Sequence, residues 1–187
     1  MRVIGGRFGG RRLRAPAGSA TRPTSDRVRE AVFSMLASLG GLDAALVLDL
    51  FAGSGSLGIE ALSRGAAAAI FVDHDPSAIE ILRANLAGLG LGPPVARVRG
   101  GDALDALRAA GVAGDAFDLV FLDPPYAGAA ELGGVLDVEL EQVLADGGLV
   151  VCESDRRRPL ELDLPVERER RYGDTLIRIY RRGDRSR

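Results

Sequence analysis

Five residues, Leu46–Leu50 (LVLDL), run directly into Phe51-Ala-Gly53-Ser-Gly55-Ser-Leu-Gly58, and no other stretch of the 187-residue chain constrains the fold so tightly. The first part is an apolar run of strand length. The glycines that follow permit a tight turn and a close approach of backbone to ligand. A strand, a glycine turn and a helix open a βαβ unit. The next strand-like run, Ala69–Asp73 (AIFVD), ends on an acid 20 residues past Gly53, where a carboxylate can take a ribose hydroxyl. The spacing alone fits a nicotinamide dinucleotide or another adenosyl ligand equally well.

The rest of the chain repeats the alternation. Val95–Arg99, Phe117–Leu122 and Leu149–Cys152 read as further strands. Asp75 and Pro76 form an N-cap and first-turn pair ahead of Ile79, Leu82, Leu86 and Leu89, and Glu131–Leu144 reads as another helix. Val166–Arg171 and Thr175–Tyr180, joined by Tyr172-Gly173-Asp174, predict a hairpin that closes the sheet antiparallel. The expectation is an α/β domain with a seven-stranded, mostly parallel sheet. Ahead of it, Val28, Val32, Met35, Leu36 and Leu39 share one helical face starting near Ser25 or Asp26. Arg2–Ile4 and Arg11–Arg14, around paired glycines, predict a small basic hairpin. Residues 1–24 are expected to form that extension and residues 25–187 the main domain.

Composition narrows the classes. The chain is 47% hydrophobic and 27% charged, as in ordinary globular proteins. No apolar run approaches the ~18 residues of a membrane span, and the N-terminus lacks the apolar core of a secretory signal. A single cysteine excludes an intrachain disulfide and a cysteine zinc cluster, so the expected compartment is the reducing cytoplasm, with no membrane partner and no metal. All 24 basic residues are Arg. Residues 1–30 hold eight arginines against two acids, residues 31–155 five against eighteen, and residues 156–187 eleven against six. Two basic ends flank an acidic middle, and Arg7, Arg11, Arg12 and Arg14 fit phosphate contacts.

Two features favour a cationic adenosyl ligand over a dinucleotide. Asp49 sits inside the strand end, where an anion suits a sulfonium or ammonium better than a pyrophosphate. Asp102, after the third strand, can accept from an adenine amino group. The fourth strand runs into Asp123-Pro124-Pro125-Tyr126. Prolines end a central strand and stiffen the chain. Such a corner can be a plain turn with a capping Asp. It can also clamp an exocyclic amine, with the Asp123 carboxylate and the Pro124 carbonyl accepting two N–H bonds and Tyr126 stacking on the base. Holding both N–H bonds aims the nitrogen lone pair at an electrophilic methyl. Asp75 reads as a helix cap, Cys152 as a buried small hydrophobe, and His74 as a surface residue.

The chain resembles the bacterial RsmD family, S-adenosylmethionine-dependent methyltransferases that act on guanine N2 in 16S ribosomal RNA. Carrying the resemblance are Arg2-Val-Ile-Gly-Gly6, Arg22-Pro-Thr-Ser-Asp-Arg-Val-Arg-Glu30, Asp49-Leu-Phe-Ala-Gly-Ser-Gly55, Glu60-Ala-Leu-Ser-Arg-Gly65, Asp123-Pro-Pro-Tyr126 and Tyr172-Gly173. It implies a Rossmann-like class I methyltransferase fold. It implies S-adenosyl-L-methionine as cofactor, with Asp49, Phe51, Gly53 and Gly55 lining its methionine part and Ala52, Ser54 and Leu57 also binding the cofactor. Asp73 would hold the ribose and Asp102 the adenine, with Thr24, Asp26 and Arg27 closing over the amino-acid end. Asp123, Pro124 and Tyr126 would hold the target guanine, with Pro125 and the N-terminal arginines on the substrate side. The implied partner is 16S ribosomal RNA or an assembling small subunit, met by a monomer. Asp73 stands where the family suggests Glu, one methylene longer. Competing readings are an amino-methyltransferase on adenine N6 in DNA or on a protein glutamine, a nicotinamide oxidoreductase, and a non-catalytic RNA-binding scaffold.

Overall fold

The computed structural model describes residues 1–15, 25–40, 42–125 and 132–183. β1 (Leu46–Leu50) has two parallel neighbours, β2 (Ala68–Asp73) and β4 (Phe117–Leu122). β3 (Ala96–Gly100) extends the sheet beyond β2, and β5 (Leu144–Asp155) lies parallel to β4. β7 (Thr175–Arg181) runs antiparallel to β5, and β6 (Val166–Tyr172) closes the far edge. The order is β3-β2-β1-β4-β5-β7-β6. β4 and β1 are buried almost throughout, as a sheet covered on both faces requires.

Helices α1 (Asp26–Ser38), α2 (Ser56–Ser63) and α3 (Pro76–Gly88) cover one face. Helices α4 (Ala103–Ala113) and α5 (Gly133–Val143) cover the other. Their starts follow local chemistry. Ser25 caps α1 by accepting from the Val28 N–H, and Asp75 caps α3 ahead of Pro76 by accepting from Ser77. β5 is longer than the apolar run Leu149–Cys152 suggests. Its first residues pair Leu144 with Phe117, and the register then jumps to Leu119 with Leu149. The extra residues around Gly147 form a bulge that no hydrophobic pattern records.

The N-terminal segment forms a short antiparallel ladder. Arg2 bridges Arg12, Val3 N–H donates to the Arg11 carbonyl, and a 3-10 turn at Gly6–Phe8 makes the connection. Val3 and Leu13 are buried in the same core cluster as α1, α2 and the sheet. Glu60 of α2, fully buried, fastens this segment: its carboxylate accepts from Ile4 N–H at 2.7 Å, Gly5 N–H at 2.8 Å and Arg64 Nε at 2.7 Å. The hairpin therefore sits on the main core through specific bonds.

Candidate active site at the carboxyl edge of the sheet

The loop after β1 is shaped by packing. Phe51 takes a positive φ of 61°, a conformation costing ~1–3 kcal/mol in a non-glycine residue and concentrated at functional sites. Gly53 has φ 55° with open space where a Cβ would point, so the loop is accessible on that side. Gly58, in the first turn of α2, has the opposite surroundings. A Cβ there would lie 2.4 Å from the Phe71 ring and 3.0 Å from Asp49 Oδ2, so only glycine lets α2 seat on β2. The loop is pinned from within: Ala52 N–H donates to the Val72 carbonyl and Gly55 N–H to the Ala52 carbonyl. Asn85 of α3, buried, ties it down from outside. Its Nδ2 donates to the carbonyls of Ser54 and Arg14, and its Oδ1 accepts from Arg14 N–H. Leu57 and Ser54 are buried.

Acids stand around this loop at the strand ends. Asp49, on β1, is buried and accepts from Gly58 N–H at 2.9 Å. Burial pushes its carboxyl up to about 8, against the pull of the Gly58 N–H, and the nearby Asp73 charge adds to the rise. Asp73, at the end of β2, has both oxygens on backbone: Oδ2 accepts from Gly53 N–H at 2.7 Å and Oδ1 from Asp75 N–H at 2.8 Å. Asp102 caps α4, its Oδ1 accepting from Leu104 and Asp105 N–H. Its Oδ2 accepts nothing among the described residues.

Asp123 follows β4 and is partly buried, with Pro124 buried and Pro125 exposed behind it. Burial holds its carboxyl well above the usual carboxylate range, and the charges of Glu153 and then Asp49 raise it further. Glu153, on β5 and 5% exposed, was not singled out by the sequence. Its one signal is position: like Asp49, Asp73 and Asp123, it is the acid at or just past the end of an apolar strand run. The arrangement gathers acids in a low-dielectric edge, where they hold their protons and where an arriving cation would favour the ionised forms.

Other predicted residues are placed elsewhere. Asp26 binds Arg29 at 2.7 Å and Arg2 at 3.3 Å, and the Arg29 hydrogen bond keeps its carboxyl below the usual range. Arg27 is exposed. Arg7 lies 4.4 Å over the Phe8 ring, and Arg11 Nη2 donates to the Gly88 carbonyl at the end of α3. Arg12 and Arg14 are exposed. Thr24 and Tyr126 lie outside the described residues. Cys152 is buried, and His74 is an exposed neighbour of Asp73. Among the described residues no group of His, Cys, Asp and Glu is arranged to hold a metal ion, and no helix is long and apolar enough to cross a membrane.

A parallel sheet in this order, closed by an antiparallel β7, with a glycine loop after β1 and acids at the following strand ends, defines a Rossmann-like class I methyltransferase. The chain belongs to the family described as conserved hypothetical protein 95, the RsmD family, whose model matches residues 1–181. It is 43% identical over 185 residues to the Bacillus subtilis "Putative rRNA methyltransferase YlbH", covering 97% of this chain and 99% of that one. It is 37% identical over 185 residues to the "Ribosomal RNA small subunit methyltransferase D" of Escherichia coli K12, covering 97% and 90%. The solved structure of "Putative methyltransferase yhhF" from Escherichia coli superposes with a TM-score of 0.83 at 36% identity, covering 99% of each chain. These matches overturn the oxidoreductase reading that the glycine spacing alone allowed.

Proposed function

We propose that this chain transfers a methyl group from S-adenosyl-L-methionine to the exocyclic N2 amine of a guanine in 16S ribosomal RNA, within an assembling small-subunit particle. The observation that carries the reading is the acidic edge itself: Asp49, buried, and Asp123, partly buried, both with raised carboxyls, flank an open glycine loop. A dinucleotide would bring a pyrophosphate into that field. S-adenosylmethionine brings a sulfonium and an ammonium, and its electrophilic methyl is the chemistry it supplies. The family's rRNA methyltransferases support the substrate class.

In this reading Asp49 faces the cationic methionine part, beside the backbone of Phe51, Ala52, Gly53, Ser54, Gly55 and Leu57. Asp73 and the free oxygen of Asp102 take the ribose and the adenine. Thr24, Asp26 and Arg27 close the amino-acid end. Asp123 Oδ and the Pro124 carbonyl accept the two N–H bonds of the target amine, and Tyr126 stacks on the base. Fixing both N–H bonds directs the nitrogen lone pair, which is otherwise delocalised into the purine. The Asp123 carboxylate also stabilises the positive charge that develops on nitrogen. Guanine N2 is a minor-groove group, so the base must be unpaired or flipped. Arg7, Arg11, Arg12 and Arg14 of the 1–24 extension supply phosphate contacts, Pro125 lines the base side, and the enzyme acts as a cytoplasmic monomer.

Loss of N2-methylguanosine from the 16S RNA of cells lacking the protein, read by mass spectrometry, tests the substrate. Restoration of the modification by the wild-type gene, and not by Asp123→Ala, is expected. Unchanged N2-methylguanosine in the deletion strain overturns the assignment. In vitro, labelled methyl should enter 16S RNA and not DNA or protein.

A further inference from the structure

We propose that Glu153 is a positioning residue for methyl transfer: standing beside Asp123 on the neighbouring strand, it makes Asp123 the acceptor of the proton that the methylated amine sheds. The inference rests on the reading of Asp123 as the amine clamp.

The geometry comes from the register. β4 and β5 are parallel and their last pair is Leu122 with Cys152, so Asp123 and Glu153 are the next residue along each chain, and strands so paired lie about 4.8 Å apart. Phe121 and Val151, two residues earlier on each strand, both pack into the core cluster on the α1 face. Alternation along β5 returns Glu153 to that face, and Asp123 follows Phe121 by the same two residues. After burial, the Glu153 charge is the largest influence on Asp123, and among the described residues no other charge raises it as strongly. Asp49 of β1 acts on Asp123 in the same sense but more weakly, and Asp73 of β2 acts on Asp49. From β7, Ile177 lies opposite Glu153, whereas Arg178, paired with Cys152, is bound to Glu169 and Glu161. From α1, Arg29 is held by Asp26 and the Arg2 carbonyl.

The step balances. The amine lone pair forms the new N–C bond while the C–S bond breaks and its electron pair stays on sulfur as a thioether. The nitrogen, now positive, releases one proton. The Asp123 carboxylate takes it and becomes a neutral acid, which returns the proton to solvent after the product leaves. A general base is most effective when its proton affinity lies near the working pH, and a lone solvated carboxylate, at about 4, sits well below it. A second carboxylate at strand spacing raises its proton affinity toward the working range.

The test compares pH profiles of single-turnover methyl transfer to small-subunit particles with direct carbon-13 titration of the Asp123 carboxyl in the cofactor-free protein. In Glu153→Gln, the Asp123 midpoint and the acid limb of the rate profile should both move down by at least about one pH unit. The plateau rate should fall roughly tenfold, with KM values within about twofold. Glu153→Asp keeps the charge and should restore the limb to within about half a unit, which a merely structural role would not do. An unmoved midpoint, or an equal loss of rate at every pH, overturns the inference. If Asp123→Asn keeps the full rate, the clamp reading itself fails. If Asp123→Asn is inactive while Glu153→Gln leaves the limb in place, only the role of Glu153 fails.

Discussion

Glu60 and Asp49 are both buried acids, one on α2 and one on the strand before it, and the fold treats them in opposite ways. Glu60 has three short bonds, two from the N-terminal backbone and one from Arg64. Asp49 has one N–H, from Gly58, and faces further acids along the sheet edge. The first arrangement is complete in the folded chain and holds the N-terminal segment to the core. The second leaves the acid with a single donor in the folded chain. A buried charge with all its partners inside the protein marks structure, and one short of partners marks a site.

The largest effect expected from this contrast is structural. Glu60→Ala leaves two partly buried N–H groups and the Arg64 guanidinium short of an acceptor. A loss of ~3–5 kcal/mol is expected, the range for breaking a buried charged contact. At ~2–4 °C per kcal/mol for a chain of this size, the melting temperature should fall by roughly 6–20 °C. Calorimetry checks the fall, and hydrogen exchange should show residues 2–13 opening before the sheet. A variant within about 1 kcal/mol of wild type would mean that Val3 and Leu13 hold the segment without Glu60.

Asp49→Asn should act in the other direction on stability. The folded carboxyl keeps its proton to about pH 8, whereas the unfolded one releases it near 4. Asp49 therefore costs nothing below about pH 4 and destabilises the fold increasingly as pH rises toward 8. The asparagine keeps an oxygen for Gly58 N–H and removes the charge. It should stabilise the cofactor-free protein by ~1–3 kcal/mol at pH 8 and by nothing at pH 4, read by urea unfolding at both pH values. The same change should weaken S-adenosylmethionine binding roughly ten- to a hundredfold. A variant that loses stability at pH 8 would place Asp49 with Glu60 as a structural acid.

How much of this contrast is legible in the sequence depends on the range of each contact. Asp49, Asp73 and Asp123 were visible because each is the acid at an apolar strand end beside a glycine or proline turn. Glu153 obeys the same rule, but its meaning needs the β4–β5 register, which a sequence read strand by strand does not supply. Glu60 looks like any helical glutamate until Ile4 and Gly5, over fifty positions earlier, are seen to donate to it. The sequence marks Asp102 as a candidate adenine acceptor but does not show that one of its oxygens caps α4, a bond made possible because a carboxylate at a helix start has backbone donors within two or three residues. Six of the seven strands ended within a residue or so of the predicted limits. β5 departs most, running from Leu144 to Asp155 with a glycine bulge near its start, where the apolar run covers only Leu149–Cys152.

A smaller effect tests the charge deficit by the ligand alone. S-adenosylmethionine carries the sulfonium, and S-adenosylhomocysteine lacks it. If the ionised form of Asp49 binds the cation, affinity for the first should rise roughly ten- to thirtyfold between pH 6.5 and 8.5, as one linked proton leaves a group titrating near 8. Affinity for the second should change less than about threefold. Calorimetric titration in buffers of different ionisation enthalpy counts the proton directly. Equal pH dependence for both ligands would remove the sulfonium from the neighbourhood of Asp49.

The smallest effect belongs to the far end of the sheet, where charges are paired in the open. Glu169 on β6 accepts from Arg178 Nε at 2.8 Å and from Arg171 Nη2 at 3.1 Å, and the Arg178 bond keeps its carboxyl below the usual range. A folded-state value depressed in this way gives stability that is present above about pH 4.5 and lost as pH falls through the folded value. Because the pair is partly solvated, water and salt screen it, and Glu169→Ala should cost only ~0.2–1 kcal/mol, less still in 1 M salt, where the screening length is about 3 Å. Methyl transfer should be unchanged. Salt should leave the Glu60→Ala deficit largely in place, since that carboxylate is out of contact with solvent ions. A salt-insensitive loss at Glu169, or a change in methyl transfer, would mean that the closing hairpin is coupled to the carboxyl edge through β5, which carries Glu153 on one face and pairs with β7 along its length.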